Sequence, residues 1–432
     1  MIFIITRTIL RSNLRLLDCI IRPKELIDKA IELGLAGIAV TDHESLGAHV
    51  ELDKLQDKYR DTNSDFKIVR GNEIYLTDTR DTGQQYYHHI LIALDSLGHK
   101  MLRELSSTAW MNSYYDRGME RVPTLKNEVE DVVRRYGQGH IYASTACLGS
   151  ELDKAILELH EAEMLGNITG EKQAHDKIVT FLEWCINTYG EGNFSLEVQP
   201  AQSEDQIIVN KRMSSIAKAF GLPICITCDS HYLRKEDRYI HKAFLNSKEG
   251  EREVDSFYEY AYLQSEEEIR RNLEGTDLNY EELCANSMKI WDRCEYYTLK
   301  RKQHVPQVAV PDFPKEAVNS HVYDTKKYPT LNKLSHSDNS QERYWINYCS
   351  QELKKRNLYN DTYLSRLEEE ADIQAVIGEK LETCMFAYPI FLQHYINLFW
   401  ECGSTVGAGR GSACSGLNHW LLGVTQLDPI KN

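Results

Sequence analysis

Histidine, aspartate, glutamate and cysteine recur at the ends of short apolar runs in this chain. Gly37-Ile38-Ala39-Val40 runs into Thr41-Asp42-His43, Phe66-Lys67-Ile68-Val69-Arg70-Gly71-Asn72 into Glu73, and Pro223-Ile224-Cys225-Ile226-Thr227-Cys228 into Asp229-Ser230-His231. The run Ile141-Tyr142-Ala143-Ser144-Thr145-Ala146 leads to Cys147, and His88 opens Ile90-Leu91-Ile92-Ala93-Leu94. Together with Asp18, the residues His43, Glu73, His88, Cys147, Asp229 and His231 are the ligand types of zinc, manganese or iron. Carboxylates bridging two or three such ions can clamp a phosphate oxygen and activate water for phosphodiester hydrolysis. Any one of them alone is better read as an ordinary core or surface residue. Their recurrence at strand ends tips the set toward a metal site.

A second group lies near the carboxyl terminus. Gly407, Gly409 and Gly411 alternate with small or basic residues, and Ser412-Ala413 opens an expected helix over Ser415 to Leu422. A glycine-rich turn before a helix exposes backbone N–H groups, and the helix amino terminus favours an anion. Arg410 offers a charged fork to a phosphate and Ser412 a hydroxyl. From spacing alone, a tight turn that serves packing is an equally good reading.

The elements that must position these residues follow from periodicity. Arg22 to Gly34 has Pro near its start, apolar residues at helical spacing and Gly at its end, and the strand Ala36 to Thr41 follows at once. A helix around Gly47 to Tyr59 precedes the strand that ends at Glu73, giving a repeated αβ unit and a mostly parallel sheet. His99 to Tyr136 reads as helices with a turn at Val122-Pro123. Helices over Glu151 to Leu165, Lys172 to Tyr189 and Ser203 to Gly221 flank the strand Phe194 to Pro200. In an α/β fold of this kind, chemistry gathers at the carboxyl ends of the strands. After Gln264 the texture changes to polar helices, and Leu299 to Thr330 is a looser segment with four of the ten prolines. The expected domain boundary lies near residue 300, followed by helices over Glu342 to Asn357, Tyr363 to Lys380 and Tyr388 to Cys402.

Composition bounds the function classes. With 432 residues, 42% hydrophobic and 27% charged, the chain suits two or three globular domains and neither disorder nor a membrane bundle. No apolar run approaches the roughly 20 residues that span a bilayer. Eleven scattered cysteines suit reduced thiols in a cytoplasm, and Cys225-Ile226-Thr227-Cys228 reads as strand cysteines rather than a redox pair. A net charge of −15 argues against a broad non-specific nucleic-acid surface, though not against a local basic groove.

Thr41-Asp42-His43, Gly71-Asn72-Glu73, Ser144-Thr145-Ala146-Cys147-Leu148-Gly149 and Asp229-Ser230-His231-Tyr232-Leu233 resemble the motifs of the polymerase and histidinol phosphatase (PHP) domain. They look most like the version at the amino terminus of the alpha subunit of bacterial DNA polymerase III, the C family of replicative polymerases. The resemblance implies an α/β fold, a distorted (βα)7 barrel with metals at the strand ends, and a possible phosphoesterase or 3′→5′ exonuclease activity. Where the family opens with His-x-His on its first strand, this chain has Thr6 and Thr8, which are poor ligands. The expectation is therefore a structural barrel with a vestigial or partial site for zinc or manganese.

The string Gly409-Arg410-Gly411-Ser412-Ala413, followed by Leu421-Leu422-Gly423-Val424-Thr425 and Leu427-Asp428-Pro429-Ile430, is similar to the Gly-Ser motif of the family's palm. By that resemblance Gly411 and Ser412 meet the β and γ phosphates of an incoming dNTP, with Arg410 nearby, and Asp428 is structural. The family's catalytic aspartates follow on a strand that is not in this sequence, so no catalytic residue is expected here. Residues 1–300 are then a PHP domain and 301–432 the first part of an α+β palm. The expected function is DNA-directed DNA synthesis with magnesium, once a C-terminal polymerase half completes the enzyme and brings primer-template DNA. Replisome accessory subunits are further expected partners, the location is cytoplasmic, and a phage origin fits. Two other readings stay open, a stand-alone metal phosphoesterase and a non-catalytic interaction module.

Overall fold

Pro23 fixes the first turn of α1 (Pro23–Glu32), whose buried stripe is Leu26, Ile27 and Ala30. The chain turns into β2 (Gly37–Val40), buried at all four positions as a strand covered on both faces must be. α2 (His49–Arg60) then leads to β3 (Lys67–Thr77). The computed structural model describes residues 3–6, 19–62, 65–81, 83–116, 119–246, 256–302, 304–313, 315, 324 and 326–431. It divides into two units, Met1–Leu299 and Lys300–Asn432.

The first unit is α/β. Its further elements are β1 (Phe3–Thr6), β4 (Tyr87–Ala93), α3 (Ser96–Met111), the hairpin β5 (Tyr114–Asp116) and β6 (Met119–Arg121), and β7 (Pro123–Leu125). There follow α4 (Lys126–Tyr136), β8 (Ile141–Ser144), α5 (Glu151–Met164), α6 (Ile168–Tyr189), β9 (Phe194–Val198), α7 (Glu204–Phe220), β10 (Ile224–Ile226), α8 (Arg238–Leu245), α9 (Glu266–Asn272) and α10 (Tyr280–Arg293). The main sheet has the order β1-β2-β3-β4-β8-β9-β10, with β7 also on β3. It is mixed rather than mostly parallel, because β4 runs antiparallel to both β3 and β8. Nor is Val122-Pro123 a simple turn. Pro123 begins β7, which pairs only with β3, the edge position that a residue without an N–H tolerates.

Alternation along the strands separates two faces. Ile38, Val40, Ile68, Leu91, Ala93, Ala143, Leu196, Val198 and Ile226 join the large core beneath the helices. Ala39, Val69, Ile90, Ile92, Tyr142 and Cys225 form a separate cluster with Ile290 and Cys294. Strands from both ends of the sheet contribute to this inner cluster, so the sheet is curled around it. α10 closes the gap: Asn286 Nδ2 donates to Ile224 O (3.0 Å), and Trp291 Nε1 donates to Ala36 O (3.0 Å). Cys225 lies in the inner cluster and Cys228 in the outer core, so the two do not form a CxxC pair.

The second unit packs the helices Pro329–Ser335, Ser340–Lys355, Asp361–Leu381, Ala387–Glu401 and Leu417–Leu421 around Trp345, Leu367 and Phe386. The Trp345 and Phe386 rings meet edge-on at 4.9 Å. Asn339 and Asn360 cap two of the helices through their side chains. Among the described residues this unit contains helices and no strand, so the β part of the expected α+β palm is not expressed in them. Their apolar positions recur every three to four residues, which buries a helix face and not a strand face. Among the described residues, no helix is long and apolar enough to cross a membrane.

Candidate metal centre and phosphate turn

His43, Glu73 and His88 bring one ligand atom each to within 4.8 Å of one another, the only such group of three or more among the described residues. Glu73 sits on the inner face of β3 and is almost fully buried. The β2 chain extends past its last strand residue to reach it: Glu73 N donates to Asp42 O (3.1 Å) and Glu44 N to Glu73 O (2.9 Å), which sets His43 beside Glu73. His88 arrives from the start of β4. Because β4 is antiparallel, its beginning lies with the carboxyl ends of its neighbours, and His88 Nδ1 stands 2.8 Å from Glu73 Oε1. His43 Nδ1 is 3.9 Å from the same oxygen. Tyr75 stacks on the His43 ring at 4.9 Å, and His88 meets that ring edge-on at 4.7 Å.

Backbone strain marks the same rim. Of the five described non-glycine residues with positive φ, Glu44 (44°), Ala146 (72°) and Asp229 (39°) stand next to or among the expected ligands. Such conformations cost about 1–3 kcal/mol each and persist where the surroundings over-determine them. At Glu44 the cause is visible. Its carbonyl accepts from Trp110 Nε1 (2.7 Å), and its carboxyl accepts from Tyr75 N (2.7 Å) and Thr124 Oγ1 (3.1 Å). Burial raises the Glu44 pKa to about 8. It anchors the turn that carries His43.

The other expected ligands do not all converge. Cys147 Sγ lies 3.2 Å from His88 Nδ1, at the edge of the group. Gly149 makes room for that ring, since a Cβ there would stand 2.7 Å from His88 Nδ1. Asp229 and His231 are buried after β10, where the His231 ring lies 5.7 Å from that of His241 and 5.2 Å from that of Tyr258. His231 Nδ1 is 2.7 Å from Asp229 O and 3.8 Å from its carboxylate. Asp18 and Thr8 lie outside the described residues, while Thr6 pairs with Val40 on β1. Two imidazoles and one carboxylate suit a single ion of the zinc or manganese class.

Glu197 is a residue that strand-end spacing passed over. Phe194, Leu196 and Val198 face the outer core, which turns Glu197 into the curled sheet. Ser144 Oγ and Thr227 Oγ1 donate to its two oxygens at 2.7 and 2.6 Å, linking β8, β9 and the end of β10. Burial, reinforced by the carboxylates of Glu73 and Asp229, raises its pKa to about 7 against the donated hydrogen bonds. The available signal was a lone acid within the strand Phe194–Val198.

In the second unit, Arg410, Gly411 and Ser412 are exposed on a turn whose residues Gly411–Ser415 form a short 3-10 helix. Gly409 (φ 139°) abuts Cys414 and Thr425, where a Cβ would stand 2.6 Å from the Cys414 sulfur. The expected helix over Ser415 to Leu422 is only Leu417–Leu421, and its first N–H groups are already taken. Leu417 N and Asn418 N donate to the buried Glu370 carboxylate at 2.7 and 2.9 Å. A helix-terminal anion site is thereby excluded at this helix. Arg366 bridges Glu370 and Ser415 O, tying the turn to the helix Asp361–Leu381. Asp428 is buried and accepts from Tyr363 OH (2.6 Å), a structural bond.

Residues 9–201 match the family model described as the PHP domain, and residues 336–432 that of the bacterial DNA polymerase III alpha NTPase domain. A Bacillus phage SPbeta protein named DNA-directed DNA polymerase is 39% identical over 444 aligned positions, covering 98% of this chain and 34% of that protein. The DNA polymerase III subunit alpha of Borreliella burgdorferi is 24% identical, covering 97% and 32%, and that of Aquifex aeolicus is 26% identical, covering 98% and 34%. The chain spans about a third of the length of the curated relatives it matches.

Proposed function

We propose that this chain, a member of the DNA polymerase III alpha family carrying that family's PHP and NTPase domains, serves as the amino-terminal portion of a replicative DNA-directed DNA polymerase. The supporting observation is co-linearity: both domains occur in order in one chain that aligns along 98% of its length with a phage DNA polymerase. Residues 1–300 are assigned to the PHP domain and 301–432 to the first part of the palm. The exposed turn Arg410, Gly411 and Ser412 receives the triphosphate of a dNTP: the guanidinium forks onto phosphate oxygens and the Ser412 hydroxyl adds a donor. The remaining polymerase sequence supplies the aspartates that hold magnesium, and primer-template DNA is the shared substrate. Replisome accessory subunits complete the assembly in the cytoplasm.

In the first unit, His43, Glu73 and His88 hold one zinc or manganese ion, with Cys147 beside them; Asp18, Asp229 and His231 remain candidates for further ligands. When bound, such an ion polarises a phosphate oxygen or a water molecule. The chain's own residues fix the donors: Glu44 anchors the His43 turn and Gly149 admits the His88 ring. Convergence of three ligands favours a second reading, a residual phosphoesterase, which hydrolysis of a nitrophenyl phosphate ester would reveal and which Glu73→Gln would abolish.

Photolabelling of the native assembly with an azido-dATP tests the nucleotide assignment. The label is expected on the peptide that contains Arg410–Ser412, and Arg410→Ala should reduce it. Labelling confined to other peptides would refute it.

A further inference from the structure

One face of the helix Asp361–Leu381 fastens the chain that follows the Arg410–Ser412 turn. Tyr363, Arg366 and Glu370 recur at i, i+3 and i+7 and so project from one side of it. Tyr363 OH donates to Asp428 Oδ2 (2.6 Å) and Arg366 Nη2 to Ser415 O (2.8 Å). The Glu370 carboxylate accepts from Leu417 N, Asn418 N and Asn418 Nδ2 at 2.7, 2.9 and 2.7 Å. Arg366 Nε closes the set with a 2.8 Å bond to Glu370 Oε1. The contact reaches into the turn, because Ser415 Oγ donates to Ser412 O (2.7 Å). At the entry to the turn, Gln426 N donates to Ala408 O (2.8 Å). Arg410 and Ser412 are exposed, and neither side chain has a hydrogen-bond partner among the described residues.

We propose that Arg366 is a positioning residue for nucleotide capture: through Ser415 it holds the turn in the shape in which Arg410 and Ser412 grip a triphosphate. This rests on reading that turn as the dNTP site. Gly409 (φ 139°) and Gly411 (φ 60°) leave the turn little stiffness of its own. A loose turn loses conformational freedom when its ligand arrives, which subtracts from affinity, whereas a turn already fixed does not. Glu370 does not reach the turn, since its carboxylate is taken by Arg366 and by the helix that starts at Leu417. Among the described residues, the bond from Arg366 to Ser415 O is the only hydrogen bond between the helix Asp361–Leu381 and the segment Gly411–Ser415. An arginine that served its own helix alone would be satisfied by Glu370, four residues on. This one makes a second, charge-assisted bond to the turn.

The test uses the 432-residue chain with azido-dATP as the probe, and reads the concentration that half-saturates labelling of the Arg410–Ser412 peptide. Amide exchange at Gly411–Ser415 is followed in parallel, and circular dichroism verifies the fold. Arg366→Ala removes the bond to Ser415 O, Arg366→Lys keeps a charged donor at that place, and Lys380→Ala deletes an exposed charge from the same helix. The expected result is half-saturation about 10-fold higher for Arg366→Ala with faster exchange across Gly411–Ser415, recovery to within about 3-fold by Arg366→Lys, and no change for Lys380→Ala. Unchanged half-saturation in Arg366→Ala, with the wild type labelled on this peptide, would overturn the positioning role and leave the nucleotide reading standing. A loss that Arg366→Lys does not restore, with exchange unchanged, would also overturn it, by placing the guanidinium on the phosphate itself. If the wild type is labelled only on other peptides, or not at all, the nucleotide reading falls with the proposal.

Discussion

Replacing Glu197 with Gln should stabilise the chain at neutral and alkaline pH, although it deletes a charge bonded to two hydroxyls. Burial raises the Glu197 pKa from 4.5 to about 7. A raised folded-state value means that the native state binds the proton more tightly than the unfolded chain does. Its contribution is therefore fully present below about pH 4.5 and is lost as pH rises through about 7. At about 1.4 kcal/mol per pH unit, the loss amounts to about 3 kcal/mol by about pH 8. Gln is neutral at every pH and keeps the partners, since Ser144 and Thr227 hydroxyls can each donate or accept. Urea unfolding of both proteins with EDTA, followed by circular dichroism, should show a stability gap of about 1 kcal/mol at about pH 5 that grows to about 3 kcal/mol at about pH 8. A gap independent of pH, or a variant less stable at high pH, would show that Glu197 is held ionised and would refute the electrostatic reasoning.

Three further outcomes follow from the geometry. Wild-type protein should bind about one equivalent of zinc or manganese by isothermal titration calorimetry, and Glu73→Gln should abolish it, because the Glu73 carboxylate is the one anionic ligand and stands beside both histidines. Gly149→Ala should weaken that binding by about 10- to 100-fold with little change in melting temperature, by displacing the His88 ring. Glu370→Ala should cost about 2–4 kcal/mol in the second unit, since Leu417 N and Asn418 N lose a buried charged acceptor; faster amide exchange at these residues is the readout.

The parts of the fold legible in the sequence are those set by local pattern. α1, α2 and α7 follow apolar spacing bounded by Pro or Gly, and β2 is a short apolar run. The direction of β4 was not legible, because Ile90–Leu94 has the same pattern read either way and only pairing with β3 and β8 decides it. That direction brings His88 to Glu73. β7 was hidden because Pro123 reads as a breaker unless an edge position is available. Glu197 could not be placed inside or outside without the register of β9 against β8 and β10. The helix-terminal phosphate site looked plausible from spacing, but Glu370, 47 residues away from Leu417, fills it.

The most direct measurement is the size and activity of the native material captured from source cells with an antibody against residues 1–300. If the chain is the amino-terminal portion of a polymerase, the captured species is larger than 50.0 kDa and extends a primed template with dNTPs and magnesium. A species that stays at 50.0 kDa and incorporates no nucleotide would contradict it.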